Sequence, residues 1–500
     1  MKILSAAEIR KADQFTIKNE PIRSIDLMER ASMAFVTWFE NNFSRERKVF
    51  IFCGTGNNGG DGLAISRILS FRKWNIAAIV IKESSKKSRD FTINFLQLAE
   101  VRTIQRIEKK EDLDFDLNNQ DIVLDAIFGS GLTREIKGIY ADTIDYINDS
   151  GATTVSIDVP SGLFIDTVSP IGSIIRADHV LSFQLPKLAF LLPENSAYVK
   201  NWEIVDIGLD SVFIDEQDSS FEYIDKHLAK SIIKPRTRFA HKTDFGRILL
   251  IAGSWGKMGA CVLSTKASIR AGAGLVTAHV PNCGYEIMQT AVPEAMVSTD
   301  IGDRYLTGIR EVEIYDAIGI GPGIDMHNVT YEVIAQLLNN YKRPIVVDAD
   351  ALNIISDEKS FLKSLPSGSI LTPHPGEFKR LVGYWNDDFE RLELQIETSK
   401  EYKVFIVLKG AHTSISTPDG KVYFNSSGNP GMATGGSGDV LTGIITALLG
   451  QKYTPEQAAI LGVYLHGLAA DIAVDFMGED SLSASDIIDY LPQAFIEIKT

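Results

Sequence analysis

The chain has 500 residues, of which 45% are hydrophobic and 23% are charged, and its formal net charge is -15. A chain of this length is expected to form two or more domains. Its acidic balance argues against a nonspecific nucleic-acid binder, whose Lys and Arg side chains must neutralise phosphates. Three cysteines without a CxxC pair indicate neither a disulfide framework nor a thiolate zinc site. We expect a cytoplasmic enzyme with no signal peptide and no apolar run approaching the roughly 20 residues that span a bilayer.

The first 210 residues alternate between short β-rich runs and amphipathic stretches. Ser5 and Glu8 have the spacing of a capping box at the start of a helix. Buried strands are predicted at 48–53, 75–81, 121–128, 153–158 and 178–183, and helices at 60–73 and 88–100. This alternation predicts an α/β domain with a mostly parallel sheet covered by helices on both faces. Ligands of such sheets bind beyond the carboxyl ends of the strands.

The pattern lapses around 210–235, where the sequence is acidic and lacks a strong strand period. We therefore predict a first domain at 1–215 and a second at 225–500. A second series of strands is predicted at 246–253, 275–280, 317–323, 343–352 and 404–410. The second half is thus also α/β, although the two halves show no obvious sequence repeat.

The loop GTGNNG at 54–59 fits the G-x-G-x-x-G dinucleotide fingerprint, and Glu83 after the next strand could be its ribose-binding acid. The loop continues into Asn57, Asn58 and Asp61, and a carboxylate at its mouth would repel a phosphate. These side chains are better suited to sugar hydroxyls or a hard cation. In the alternative interpretation the segment is only a turn, with Asp61 as the N-cap of the next helix.

Two later strands also end in polar loops. Asp125 is followed by a Gly-Ser-Gly turn, and Asp158 is followed by Pro160, Ser161 and Gly162. Because the carboxyl ends of parallel strands share one edge of a sheet, these loops are predicted to converge there with Asn58.

The motifs NNGGDG, GSGLTRE and IDVPSG, in this order, resemble the signature loops of the NAD(P)H-hydrate epimerase domain over about the first 210 residues. The resemblance implies a Rossmann-like three-layer fold that interconverts the R and S forms of the hydrated nicotinamide cofactor, NAD(P)HX. It implies that Asp158 is the acid/base residue and that a potassium ion is bound by Asn58, Asp125 and Ser161. The substrate-binding residues that it implies are Asn57, Asn58, Gly59, Gly60, Asp61, Gly129, Ser130, Gly131, Leu132, Thr133, Arg134, Glu135 and Tyr140. Some members carry a catalytic lysine in the loop after Gly131; here Thr133, Arg134 and Lys137 follow it, and the role is not assigned.

A second glycine-rich loop, NPGMATGGSGDVL at 429–441, is not a Walker A loop, because Ser437 stands where the lysine is required. A helix is predicted after it, so its backbone N–H groups would form an anion hole for a transferring phosphate. Asp439 could then accept a proton from a substrate hydroxyl. Alternatively, Asp439 is only the N-cap of that helix.

Three other segments carry candidate ligand contacts. Lys409 ends a strand where it could contact nucleotide phosphates, and His374 lies between two prolines that fix it in a rigid, non-helical loop. The glycines of GIGPGI at 319–324 and RAGAGLV at 270–276 would let the backbone approach a flat ring, although close helix–strand packing explains them nearly as well.

Together with GPG, TPHPGEF and VLKG, the second glycine loop resembles the ADP- or ATP-dependent NAD(P)H-hydrate dehydratase domain, a relative of the ribokinase-like kinases, over about residues 230–500. The resemblance implies a ribokinase-like α/β fold and a magnesium ion that accompanies ADP or ATP. It implies hydrate contacts at Ala273, Gly323, His374 and the catalytic Asp439. The nucleotide contacts that it implies are Lys409, Gly410, Ala411, His412, Thr413, Asn429, Pro430, Gly431, Met432, Ala433, Thr434, Gly435, Gly436, Ser437 and Gly438.

The two domains together predict a bifunctional repair enzyme. The first would epimerise R- and S-NAD(P)HX, and the second would dehydrate the S form with ADP or ATP, releasing AMP or ADP and phosphate. We expect small-molecule partners, no nucleic acid, no membrane, and a homo-oligomer. The alternatives are a small-molecule kinase with a regulatory first half, and a first domain that senses nucleotides without chemistry. An NAD dehydrogenase is disfavoured because neither half shows an evident hydride-acceptor site.

Overall fold

The computed structural model describes residues 1–82 and 86–500, which separate into two compact units. The N-terminal unit contains Lys2–Ser219 together with Asp387–Phe389. The C-terminal unit contains Ser220–Asn386 and Glu390–Thr500 together with Met1. Glu83, the candidate ribose-binding acid, lies outside the described residues.

The N-terminal unit alternates helices and strands. Its helices are α1 (Ala6–Asn19), α2 (Ser24–Asn42), α3 (Asn57–Phe71), α4 (Arg89–Ala99), α5 (Ile139–Asp149) and α6 (Ser211–Asp215). Its strands are β1 (Val49–Cys53), β2 (Ile76–Ile81), β3 (Ile104–Ile107), β4 (Ile122–Ala126), β5 (Thr153–Ile157), β6 (Ala177–Phe183) and β7 (Val199–Val205). The predicted capping box is present at the start of α1, where the Glu8 backbone N–H donates to Ser5 and the Ser5 N–H donates to Glu8.

The strands of this unit form one parallel sheet in the order β3-β2-β1-β4-β5-β6-β7. This is the strand order of a doubly wound Rossmann-type sheet, and the predicted fold is confirmed. The five predicted buried strands are present, and β3 and β7 were missed. Both are edge strands with several exposed residues, so neither has a continuous apolar run. The register aligns Phe52, Asp125 and Ser156, which places the carboxyl ends of β1, β4 and β5 side by side.

The C-terminal unit is also α/β. Its helices are α7 (Lys226–Ile232), α8 (Met258–Arg270), α9 (Tyr285–Ala291), α10 (Asn328–Asn340), α11 (Ala349–Asp357), α12 (Ser360–Ser364), α13 (Pro375–Val382), α14 (Asp388–Tyr402), α15 (Ser437–Gly450), α16 (Pro455–Met477) and α17 (Ala484–Lys499). Its strands are β8 (Phe221–Ile224), β9 (Arg247–Ile251), β10 (Leu275–Val280), β11 (Met296–Thr299), β12 (Ala317–Ile320), β13 (Ile345–Val347), β14 (Ile370–Leu371), β15 (Phe405–Leu408), β16 (Ser414–Ser416) and β17 (Val422–Asn425).

These strands form one sheet in the order β11-β10-β9-β12-β13-β14-β15-β16-β17-β8, parallel except for the antiparallel pairs that β16 makes with β15 and β17. The predicted α/β class is confirmed for this half as well. Two details differ from the prediction. The run 343–352 is strand only as far as Val347, because α11 begins at Ala349. The acidic segment at 210–235 contains β8, which extends the edge of the sheet by pairing with β17.

Helix α16 differs from the expectation that no apolar run approaches bilayer length. Among the described residues it is the one helix long and apolar enough to cross a membrane by length and composition, and 67% of its apolar window is buried inside the protein. Its neighbours α15 and α17 supply buried residues to the same core cluster. The helix is apolar on most sides because helices of the C-terminal unit surround it.

Candidate active sites

The N-terminal unit contains a cavity of about 710 Å³ at the carboxyl ends of β1, β4 and β5. Residues of α1 and α2 line it together with the loops that follow these strands. The predicted residues that line it are Asn57, Asn58, Asp61, Gly129, Ser130, Gly131, Leu132, Thr133, Arg134 and Asp158. The structure therefore brings the loops of the three predicted motifs to one cavity.

Four other predicted substrate contacts have local structural roles. A Cβ atom on Gly59 would lie 1.9 Å from the carbonyl oxygen of Gly54, so this glycine permits close packing of α3 on the loop after β1. Gly60 packs against the Met28 side chain in the same way. Glu135 pairs with Lys137, and the Tyr140 hydroxyl donates to the carbonyl oxygen of Ile81. All four residues lie outside the cavity lining.

The alternative interpretation of Asp61 as a helix N-cap is wrong. Helix α3 begins at Asn57 with Gly56 before it, so Asp61 lies inside the second turn. Its carboxyl group lines the cavity. Burial, followed by the charges of Asp158 and Asp13, raises the pKa of Asp61 well above its usual range. A group of this kind is suited to donating a hydrogen bond to a ligand.

Of the predicted cation ligands, Asp125 and Ser161 are in direct contact, and Asn58 lines the cavity at the start of α3. The carboxylate of Asp125 has no exposed surface and accepts hydrogen bonds from the Ser161 backbone N–H, the Ser161 hydroxyl and the Ser156 hydroxyl. Burial raises the pKa of Asp125, and the hydrogen bonds from Ser161 and Ser156 oppose this shift. The Asn58 side chain lies against Gly129, and its buried Nδ2 has no hydrogen-bond partner among the described residues. Turning this amide would present its oxygen instead, so the donor set fits a monovalent cation that would offset the buried charge of Asp125.

Asp158 has an unusual backbone and an unusual partner. Its φ angle is +64°, and the Val159 N–H donates to the Ile157 carbonyl oxygen across it, so Asp158 is the central residue of a tight three-residue turn. Strained conformations of this kind occur preferentially at functional sites. The Asp158 carboxylate forms an ion pair at 2.9 Å with the ammonium group of Lys187, a side chain with no exposed surface.

The sequence prediction missed Lys187, since it considered only the loop after Gly131 for a catalytic lysine. Lys187 instead follows β6 in the segment QLPKLAFLLP at 184–193. A single lysine within such an apolar stretch is a usable signal, because a buried lysine requires a paired or hydrogen-bonding partner.

A second cavity, of about 500 Å³, lies in the C-terminal unit beyond the carboxyl ends of β12 and β13. The predicted residues Gly323, Gly435, Gly436 and Asp439 line it. Lys257 and Asp350, which were not predicted, also line it and form an ion pair with each other at 3.3 Å. The glycine loop and its acid thus face one cavity, as expected.

The alternative interpretation of Asp439 as an N-cap is also wrong. Helix α15 begins at Ser437, and the residue before it is Gly436, whose φ of +92° is readily adopted only by glycine. Asp439 is the third residue of the helix. Burial, followed by the charge of Asp348, raises the pKa of Asp439 to about 7, and Lys409 opposes the shift. A carboxyl group with this pKa is suited to general acid–base work near neutral pH.

Beneath the glycine loop, Lys409 is held by a carboxylate that the prediction missed. The Lys409 ammonium group lies 2.9 Å from Asp348, which has 1% exposure and also accepts a hydrogen bond from the Thr442 hydroxyl at 2.7 Å. Burial lowers the pKa of Lys409, but the charges of Asp348, Glu377 and Asp439 together with the hydrogen bond to Asp348 outweigh this, and the net shift is upward. A Cβ atom on Gly438 would lie 3.3 Å from this ammonium group, so Lys409 supports the loop from below. The sequence signal for Asp348 is the run Asp-Ala-Asp at 348–350, directly after the buried strand β13.

The remaining predicted nucleotide contacts lie in two structured loops. The Thr413 hydroxyl donates to the Gly410 carbonyl oxygen at 3.0 Å and closes a turn that contains Ala411 and His412. Asp471 of α16 accepts hydrogen bonds from the Asn429 amide and the Gly428 N–H, which anchors the start of the second loop. That loop continues through Pro430, Gly431, Met432, Ala433 and Thr434 to the glycines of the cavity.

His374 is the N-cap of α13. Its Nδ1 accepts hydrogen bonds from the backbone N–H groups of Gly376 and Glu377, while the Glu377 side chain accepts from the His374 N–H. The imidazole is 51% exposed. The capping bonds orient the ring, and His374 is not among the residues that line the second cavity.

The structure does not bring Ala273 into the second cavity. Ala273 precedes β10, at the amino end of that strand, whereas the cavity lies at the carboxyl ends. Ala260 of α8 lines the cavity instead, and a Cβ atom on Gly323 would lie 3.2 Å from its side chain. Ala260 and Gly323 therefore lie against each other in the lining of this cavity.

Known protein families match both halves of the chain. A family model described as the YjeF-related protein N-terminus matches residues 24–189, and a model described as NAD(P)H-hydrate dehydratase matches residues 248–493. A solved structure of the ADP/ATP-dependent NAD(P)H-hydrate dehydratase from Bacillus subtilis, co-crystallized with ATP and Mg²⁺, is 30% identical and covers 55% of this chain and 98% of its own, with a TM-score of 0.49.

Two relatives match almost from end to end. The protein named bifunctional NAD(P)H-hydrate repair enzyme Nnr from Moorella thermoacetica is 37% identical, over 98% of this chain and 96% of its own. The protein of the same name from Escherichia coli is 31% identical, over 97% of this chain and 92% of its own. Both relatives span the two units and both cavities, and the chain belongs to the family of bifunctional NAD(P)H-hydrate repair enzymes.

Proposed function

We propose that this chain repairs hydrated nicotinamide cofactor in two steps. The N-terminal unit epimerises R- and S-NAD(P)HX, and the C-terminal unit dehydrates the S form with ADP or ATP, releasing AMP or ADP and phosphate. One observation in a chain of this family carries the proposal. Each unit has a cavity at the carboxyl ends of its strands, and each cavity has a carboxyl group suited to proton transfer. One unit therefore moves the hydroxyl group and the other expels it.

In the C-terminal cavity, Asp439 would take the proton from the hydroxyl group of the hydrate. The hydroxyl oxygen attacks the terminal phosphoryl group of the nucleotide, and the bond from phosphorus to the bridging oxygen breaks. Phosphate is a far better leaving group than hydroxide. It departs with its bonding electron pair as the neighbouring ring carbon loses a proton, which restores the double bond of NAD(P)H.

Backbone N–H groups at the start of α15 would hold the transferring phosphoryl group, because a helix N-terminus favours negative charge. The Lys409–Asp348 pair keeps this loop in place from below. We propose that the nucleotide contacts the turn at Lys409–Thr413 and the loop at Asn429–Gly438. A magnesium ion bound with the nucleotide would neutralise charge on its phosphates.

In the N-terminal cavity, Asp158 would transfer a proton to or from the oxygen that leaves and rejoins the ring carbon. Lys187 fixes one carboxylate oxygen of Asp158, leaving the other free for the substrate. We propose that Asn58, Asp125 and Ser161 hold a potassium ion, whose charge would stabilise the buried Asp125 carboxylate and fix the surrounding loops. Exchange of potassium for sodium is expected to slow epimerisation without affecting dehydration of the S form.

Two single substitutions separate the activities. Asp439→Asn should abolish nucleotide-dependent formation of NAD(P)H from S-NAD(P)HX, with R/S interconversion retained. Asp158→Asn should have the opposite effect. Chromatographic separation of the epimers and phosphate release measure the two reactions. A phosphorylated product that accumulates, without free phosphate, would instead indicate a small-molecule kinase.

We further propose a cytoplasmic homo-oligomer with small-molecule substrates and without nucleic-acid or membrane partners. The net charge of -15 supports the absence of a nucleic-acid partner. Light scattering of the purified chain tests the oligomeric state, and fractionation of cells that express it tests the location.

A further inference from the structure

The lining of the N-terminal cavity includes a carboxyl group on α1 to which the mechanism gives no role. Helix α1 presents one face to the cavity, with positions that recur at helical spacing: Ile9, Arg10, Asp13, Gln14 and Ile17. Asp13 lies near the middle of this face and is half-buried. Asp158 reaches the same cavity from the end of β5. The cavity lining therefore contains one carboxyl group from α1 and another from the end of β5.

The carboxyl groups of this cavity have different electrostatic environments. Asp158 is paired with the buried ammonium group of Lys187. Burial, followed by the charge of Asp158, raises the pKa of Asp13 to about 6, and Lys187 opposes this shift. Burial, followed by the charges of Asp158 and Asp13, raises the pKa of Asp61 well above its usual range. The other charged side chains that line the cavity are Arg10 and Arg134.

Epimerisation at a ring carbon that is bonded to a hydroxyl group and to the ring nitrogen needs a proton transfer on each face of the ring. On one face the C–O bond breaks, its electron pair stays with the oxygen, and a proton converts the leaving group into water. The nitrogen lone pair forms a C=N bond in the cationic intermediate. On the other face a water molecule adds to the carbon and gives up a proton. One group must donate a proton and another must accept one.

Resting on the epimerase function proposed above, we propose that Asp13 is the second proton-transfer residue of this reaction and acts from helix α1 on the ring face opposite Asp158. In one direction Asp13 gives its proton to the departing hydroxyl group while Asp158 takes a proton from the incoming water. In the other direction their roles exchange. Each turnover consumes one water and releases one, with no net change in oxidation state or charge, and the proton gained by Asp158 returns to Asp13 through solvent before the next turnover in the same direction. Lys187 is a positioning residue that holds the Asp158 carboxylate in place.

The test compares Asp13→Asn with the wild type in the full-length protein. R- and S-NADHX are interconverted without nucleotide, and dehydration of S-NADHX with ADP or ATP is measured separately. We expect epimerisation to slow by roughly 100-fold or more, with an unchanged dehydration rate. Asp145→Asn, which removes an exposed carboxylate from α5 of the same unit, is the matched control and should not affect either rate.

Two measurements distinguish proton transfer from a structural role. Asp13→Glu keeps a carboxyl group and should retain much more epimerase activity than Asp13→Asn. The wild-type pH–rate profile should show an ionisation near pH 6 that is absent in Asp13→Asn. If Asp13→Asn epimerises at the wild-type rate, or if Asp13→Glu loses as much activity as Asp13→Asn, Asp13 is not the second proton-transfer group. If the wild type itself does not interconvert the epimers, the epimerase function fails, whatever Asp13 does.

Discussion

Replacing Lys187 with methionine removes an ammonium group that has no exposed surface and four oxygen contacts. The ammonium group pairs with Asp158 at 2.9 Å and donates hydrogen bonds to Ser182 Oγ at 2.9 Å, to the Phe183 carbonyl oxygen at 2.9 Å and to that of Leu185 at 3.1 Å. Methionine fills most of the same volume, so the cost comes mainly from unpaired polar groups. Breaking a buried pair costs about 3–5 kcal/mol. We expect the lower end, because Asp158 keeps 15% exposure and can be hydrated through the cavity.

A loss of about 3 kcal/mol corresponds to a fall of roughly 6–12 °C in the unfolding temperature of a domain of this size. The loss should be confined to the N-terminal unit, so thermal unfolding of the full-length chain is followed together with the two activities. Epimerisation should also slow, by roughly 10- to 100-fold, because Asp158 loses the group that fixes it. Dehydration of S-NAD(P)HX at a temperature below both transitions should not change.

The chain contains a matched control. Lys200 pairs with Asp178 at 2.8 Å in the same unit, but its side chain is 57% exposed. Exposed pairs contribute about 1 kcal/mol or less, so Lys200→Met should barely change the unfolding temperature. Equal shifts for Lys187→Met and Lys200→Met would refute the reasoning, because burial is what separates the two pairs.

Three further predictions concern the dehydratase site. The rate of dehydration should fall as the pH drops through about 7, because protonated Asp439 cannot accept the proton of the substrate hydroxyl; a rate that is flat between pH 5.5 and 8.5 contradicts this. Asp348→Asn removes the carboxylate charge that raises the pKa of Asp439, so the midpoint of this profile should move to lower pH. The same variant should weaken nucleotide binding because Lys409 loses its partner beneath the glycine loop, which calorimetry with ADP can measure. Chelation of Mg²⁺ should stop dehydration but spare epimerisation, and loss of both activities would contradict separate sites.

Much of the fold and of both sites could be predicted because the signals are local in sequence. Buried parallel strands read as continuous apolar runs, and the polar residues that follow them, such as Asp125 and Asp158, must lie at the carboxyl edge of the sheet. Once the strand order is fixed, these residues meet. The prediction that these loops meet at one edge of the sheet therefore depends mainly on the strands, which the structure confirms.

The partners of these residues could not be found in this way, because tertiary packing brings them in from distant segments. Asp13 comes from a helix that precedes the sheet, and Lys187 from the loop after β6. Asp348 is not predicted because the run 343–352 has the pattern of a single strand, although α11 begins directly after Asp348. The role of each of these carboxyl and ammonium groups depends on its neighbours in the folded protein, which come from distant parts of the sequence.

The helix starts were misjudged for a different reason. Glycine disfavours helix formation, so the glycine-rich stretches before Asp61 and Asp439 favour a loop that ends at the aspartate. In the structure α3 begins at Asn57 and includes Gly59, whose missing side chain allows the helix to pack against Gly54. Packing overrides propensity here, and Asp61 and Asp439 become cavity residues inside helices rather than caps.

Absorbance of the reduced nicotinamide, followed in a mixture of R- and S-NADHX with the full-length chain, ATP or ADP, magnesium and potassium, measures both activities at once. With wild-type protein the absorbance should rise to the value for complete recovery of NADH. With Asp158→Asn it should stop at the fraction initially present as the S form, apart from slow spontaneous epimerisation. No rise with wild-type protein, or complete recovery by Asp158→Asn at the wild-type rate, would contradict repair by two cooperating sites in one chain.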